Sequence, residues 1–152
     1  MTIYTTSQSQ TYGKTFGPGV ARQRVDIVAI VAVTTAMLDN ANDEVGLFWV
    51  PKGFVPTGIT FNATDMDGGT TLAWDVGDDG DENRLMDGIT TGQAAGTSVA
   101  LDTAGFLYKY TARTLIKAYI KTAATTPAAG TIKVALTGFV DEEFSTTALV
   151  AA

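Results

Sequence analysis

Neither cysteine nor histidine occurs anywhere in the 152 residues. Their absence removes disulfides, the usual zinc sites, haem ligation and the Ser-His-Asp and Cys-His nucleophilic sets. Charge is scarce as well. Only 17% of residues are charged, ten Lys and Arg against sixteen Asp and Glu, for a net charge of -6. An acidic chain with scattered cations is poorly matched to a phosphate backbone, so nucleic acid is not an expected partner. Long apolar runs are missing too. The longest, Ile27 to Val33, falls far short of the ~20 residues a helix needs to cross a bilayer. The polar N-terminal stretch MTIYTTSQSQTYGKTFG has no apolar core of the signal-peptide kind. No membrane partner and no cofactor are expected. Carboxylate chemistry on Asp75, Asp78, Asp79 or Asp81 is the one catalytic route left. Nothing singles out two of these acids as a working pair, so no catalytic residue is assigned.

What is present points to strands. The chain has 25 Thr and 16 Gly, and 45% of its residues are apolar. Thr suits pleated faces, Gly serves turns, and the apolar fraction is enough for a packed core. The length fits one domain, residues 24–152, preceded by an N-terminal arm, residues 1–23. Tyr4, Tyr12 and Phe16 are more rings than a frayed tail needs, and they are candidate anchors on a neighbouring surface.

The clearest period-two pattern lies between Arg113 and Phe139. Thr114, Ile116, Ala118, Ile120 and Thr122 alternate with Leu115, Lys117, Tyr119 and Lys121. After AATTPAAG, Ile132, Val134 and Leu136 alternate with Lys133 and Ala135. The expectation is a β-hairpin with a long loop. Its lysines Lys117, Lys121 and Lys133 read as solvated surface.

Upstream, Arg24 to Leu38 forms a strand segment with two largely apolar faces, as in a strand covered on both sides or facing a partner. Val45–Val50 and Ile59–Thr64 are further strands. DMDGG is a turn, and Thr70–Val76 is the expected antiparallel partner of the strand before it. Trp49 and Trp74 both fall in strands and are expected in the core.

Gly77 to Gly88 is acidic. Asp78, Asp79 and Asp81 are weak candidates for a hard cation, since the spacing lacks the alternation and terminal Glu of a calcium loop. A solvated loop is the expectation there, with one helical turn over Glu82–Asp87 anchored by Leu85 and Met86. Val99 and Leu101 suggest a short strand. Phe106, Tyr108 and Tyr110 suit packing in the core or on a sheet face, or a subunit contact. The tail DEEFSTTALVAA suits an edge strand or a short arm. About eight strands without crossover helices imply an all-β fold, an antiparallel β-sandwich of jelly-roll type.

Taken together, Pro51–Lys52–Gly53, Asp67–Gly68–Gly69–Thr70, Asp75–Val76–Gly77, Leu85–Met86–Asp87–Gly88 and the run from Tyr119 through Pro127–Ala128–Ala129–Gly130–Thr131 to Val134 form an ordered set. Over roughly residues 45–138 it resembles the capsid decoration, or cement, proteins of tailed bacteriophages. The resemblance implies a non-enzymatic sandwich on the outer surface of the capsid head. It also implies a homotrimer at threefold and local threefold positions that bridges copies of the major capsid protein. On that basis the arm residues Tyr4, Tyr12 and Phe16 are expected to touch the capsid, and Val28, Ile30, Tyr108 and Tyr110 to touch other copies. Another virion part is the alternative: a head fibre, a tail or baseplate protein, or a carbohydrate-binding receptor module.

Overall fold

The fold was analysed in a computed structural model, which describes residues 2–4 and 24–141. Nine strands are described: β1 (Thr2–Tyr4), β2 (Arg24–Val33), β3 (Glu44–Val50), β4 (Phe54–Ala63), β5 (Ala73–Asp78), β6 (Asp81–Ile89), β7 (Gly96–Ser98), β8 (Thr114–Thr122) and β9 (Gly130–Val140). They form two antiparallel sheets, ordered β1-β2-β9-β4-β7 and β3-β8-β5-β6. With β1 set aside as an added edge, this is the strand order of an eight-stranded jelly roll. The all-β sandwich expected from the sequence is therefore the observed fold, and it is not a closed barrel.

Alternation fixes which residues face inward. Val25, Ile27, Ala29 and Val33 of β2, Ile59, Phe61 and Ala63 of β4, and Ile132, Val134 and Leu136 of β9 are buried. They meet Phe48 and Val50 of β3, Trp74 and Val76 of β5, Leu85 and Met86 of β6, and Ile116, Ala118 and Ile120 of β8 in one core. Burying such a side chain contributes on the order of 1.5–3 kcal/mol each. Phe61 and Trp74 pack ring to ring across the two sheets, with centroids 5.8 Å apart.

Several expectations about pairing are corrected. β8 and β9 are not a hairpin. β8 pairs with β3 and β5, whereas β9 lies between β2 and β4 in the other sheet. Alternation tells which way a side chain points but not which strand lies alongside. The seven residues 123–129 are enough to cross the ~10 Å between packed sheets. Thr70–Val76 is likewise not the partner of β4, because β5 sits in the opposite sheet. Glu82–Asp87 is not helical but part of β6. It pairs with β5 around the two-residue connection Asp79–Gly80, an Asp-Gly pair that favours hairpins. The strand expected at Val99–Leu101 lies earlier, at Gly96–Ser98, and Val99 is exposed.

Candidate functional site

Three surface regions and one internal latch account for the residues singled out by their chemistry. The latch is centred on Asp67, which is 1% exposed. Its carboxylate accepts the backbone N–H groups of Gly69 (2.9 Å), Thr71 (2.8 Å), Leu72 (2.9 Å) and Thr126 (3.0 Å). Burial alone would raise its pKa, but these four donors stabilise the charged form and hold it well below the usual carboxylate range. The Thr71 hydroxyl donates to the Ala123 carbonyl at 2.9 Å, and its oxygen lies 2.7 Å from that of Thr125. The DGGT turn and the TTPAAG loop, far apart in sequence, are thus tied together. Gly69 is needed at their contact, because a Cβ there would lie 2.8 Å from Cβ of Thr125.

On the outer face of the four-stranded sheet, alternation along β8 projects Lys117, Tyr119 and Lys121 away from the core. Lys117 reaches Glu44 at 2.9 Å and Asp79 at 2.6 Å. Lys121 pairs with Asp87 and lies 3.4 Å from Asp75, whose carboxylate also accepts the Gly88 N–H at 2.6 Å. Hydrogen bonding to Asp79 raises the Lys117 pKa, and the same contact lowers that of Asp79. Burial pushes the Tyr119 phenol up to about 12.

The acidic hairpin is neutralised by cations. Asp78, nearly buried, accepts Nε of Arg84 at 2.6 Å and the Gly80 N–H at 2.8 Å, and Asp81 lies 3.8 Å from the same guanidinium. Arg84 in turn stacks on the Tyr108 ring, 3.9 Å from its centroid. The three weak metal candidates Asp78, Asp79 and Asp81 are therefore engaged by Arg84 and Lys117. Among the described residues no group of three or more acidic side chains is placed to hold a cation. Asp75 is separated from them, bound to Lys121 and Gly88, so the four acids do not converge on one reacting point.

The outer face of the five-stranded sheet is different. Ile30 is 69% exposed, Ala32 is exposed and Val28 is half-buried. Across the ladder they stand beside Lys133, Thr131 and Ala135, and beyond these lie Thr60 and Asn62 of β4. Apart from Lys133, the side chains of this broad surface are short or apolar, and among the described residues its one carboxylate is Asp26, at the end of β2 and tied to Arg24 and Thr137.

The third region is the segment between β7 and β8. Phe106 and Leu107 are more than half exposed, and Leu107 sits at φ 61°, a costly region for a branched side chain. Its N–H is held by the Pro56 carbonyl at 3.0 Å. Phe106, expected in the core, on a sheet face or at a subunit contact, is thus at the surface and not in the core. Tyr108 is partly exposed, but Tyr110 is 2% exposed and belongs to the core. Tyr110 is corrected as a subunit contact, because its ring packs inward edge-on against Tyr108. Burial raises the Tyr110 phenol pKa, and the nearby Asp78 adds to the effect. Trp74 is in the core as expected. Trp49 is not: it is 39% exposed under the Arg113 guanidinium, 4.7 Å from the ring centroid. Tyr4 lies in β1 opposite Asp26, whereas Tyr12, Phe16 and the tail beyond Asp141 lie outside the described residues. Asp67, Arg84 and Leu107 had no assigned role in the sequence. A lone Arg among eight acids was the available signal for Arg84.

No family model and no curated protein matches the sequence. Solved structures do. One chain of the cyanophage Pam1 capsid asymmetric unit is 24% identical, with a TM-score of 0.65, over 83% of this chain and 91% of that one. A chain in the capsid of Ralstonia phage GP4 is 22% identical, with a TM-score of 0.67, over 80% of this chain and 86% of that one. The high coverage on both sides means that the matched chains are about as long as this one and share its fold over most of their length.

Proposed function

We propose that this chain is a non-enzymatic structural protein of a phage virion, which binds the outer surface of the major capsid shell as a trimer and stabilises it. The observation that carries the proposal is the likeness of nearly the whole fold to chains of similar length in two phage capsids. Fold alone does not set function, but the surfaces agree with it. The reactive residue types are missing, and the carboxylates of the acidic hairpin are held by Arg84 and Lys117. The apolar strip of Val28 and Ile30, with Tyr108, is the proposed contact between copies. The arm with Tyr4, Tyr12 and Phe16 is the proposed grip on the shell. Many weak, identical contacts on a lattice add through avidity. Sugar binding is less favoured, because the exposed ring of Trp49 is stacked by Arg113.

The test mixes purified protein with undecorated shells of its own phage. Stoichiometric addition around threefold axes in cryo-electron microscopy, with a raised temperature of shell disruption, is the expected result. Failure to cosediment with shells, or placement on the tail, overturns it.

A further inference from the structure

Among the described residues, only Phe106, Leu107 and Tyr108 expose large apolar side chains in a row. They form the tip of a tight turn whose backbone is tied down throughout. The N–H groups of Gly105 and Phe106 donate to the Asp102 carbonyl at 3.1 and 3.0 Å, and that of Tyr108 to the Gly105 carbonyl at 3.1 Å. With Leu107 bonded to Pro56, every N–H of the tip has a partner, and the Tyr108 ring is fixed by Arg84. Leu107 keeps φ 61° although its side chain is not part of the core. A rigid apolar tip, strained in its backbone, suits a contact that loses little entropy on forming.

The tip hangs from β4, toward one margin of the five-stranded sheet, whereas Ile30 stands on β2, toward the opposite margin. Short side chains around Ile30, those of Ala32, Thr131 and Ala135, leave room for a projecting ring. Charge separates the ways in which this face can be covered. Lys133 stands beside Ile30 with no carboxylate partner among the described residues, and Asp26 is already bound to Arg24 and Thr137. Pairing the face with itself would therefore bury two lysines without a counter-charge. The tip brings one. The Asp102 carboxylate, at the base of the turn, accepts the Ala104 N–H at 2.8 Å and meets no cation among the described residues.

We propose that the Phe106–Tyr108 tip of one copy seats on the Ile30 face of the next, with Asp102 set against Lys133. The contact is head-to-tail. Two different patches toward opposite margins let copies close into a ring, which a face paired with itself does not. The inference rests on the contact between copies proposed above and names its two sides.

Mixing two defective variants of the full chain tests it. Ile30→Lys spoils only the face, and Phe106→Ser/Leu107→Asn spoils only the tip. Asn suits the φ of 61°, so the second variant is expected to melt no lower than the first. Each alone is expected to sediment as a monomer with the circular dichroism of the parent. Mixed one to one, they are expected to give a heterodimer, because one sound tip still meets one sound face. Lys133→Glu is expected to weaken association of the parent about fivefold at low salt, and less at high salt. A mixture that stays monomeric while the parent is a trimer overturns the proposal and leaves the trimer standing. So does a tip variant that keeps the mass of the parent, or a Lys133→Glu variant that associates unchanged. A monomeric parent overturns both the proposal and the trimer, while binding to shells is read separately.

Discussion

At the scale of single residues, two buried charges hold more than their neighbours. Asp67 satisfies four backbone donors across two loops, so Asp67→Ala leaves those N–H groups unpaired. A loss on the order of 2–4 kcal/mol is expected, seen as a lower midpoint in urea. The pH dependence follows from the lowered pKa of the folded carboxyl. Its stabilisation is fully present above the unfolded value near 4 and is lost as pH falls through the folded value. Asp67→Asn is expected to flatten that acid-side loss in a series of urea melts from pH 5 downward. Arg84 is the second case. Arg84→Ala leaves Asp78 buried without its cation, at a cost of about 3–5 kcal/mol. Adding Asp78→Asn should recover part of it, a coupling that thermal melts of the two single variants and the double variant will read.

At the scale of elements, strand existence was far more legible than strand partnership. The period-two runs at Thr114–Thr122 and Thr131–Thr137 located β8 and β9 and the core sides of both. They carried no information on neighbours, since a buried face packs equally well in either sheet. The true hairpin, at Asp79–Gly80, was hidden because its carboxylates suggested a solvated loop. Their burial against Arg84 is a tertiary fact. Close approach between strands gives a sharper test. A Cβ on Gly138 would lie 2.2 Å from the Val55 carbonyl oxygen, whereas one on Gly58 meets nothing within 4 Å. Gly138→Ala is expected to cost at least about 1–3 kcal/mol, and Gly58→Ala to stay within about 0.5 kcal/mol. Circular dichroism melts of the pair compare the two directly.

At the scale of the whole molecule, the two outer faces are unlike. One is laced by Lys117 and Lys121 with their acids; the other is short-chained and apolar around Ile30. The sequence showed the second apolar face of β2 but not whether this chain would cover it. Among the described residues it does not. Ile30→Lys therefore changes a site already at the surface, and its thermal stability should stay within about 0.5 kcal/mol of the parent. If that face joins copies, the same variant will sediment as a monomer and fail to add to shells, whereas a Thr60→Ser control will behave as the parent.

The central place of β9 in the five-stranded sheet has a consequence for synthesis. β2 and β4 are neighbours only through β9, the last strand described. Until residues 130–140 leave the ribosome, nothing can hold those two strands in register. Nascent chains stalled before that point will remain protease-sensitive however long they wait, and protection will arrive in one late step.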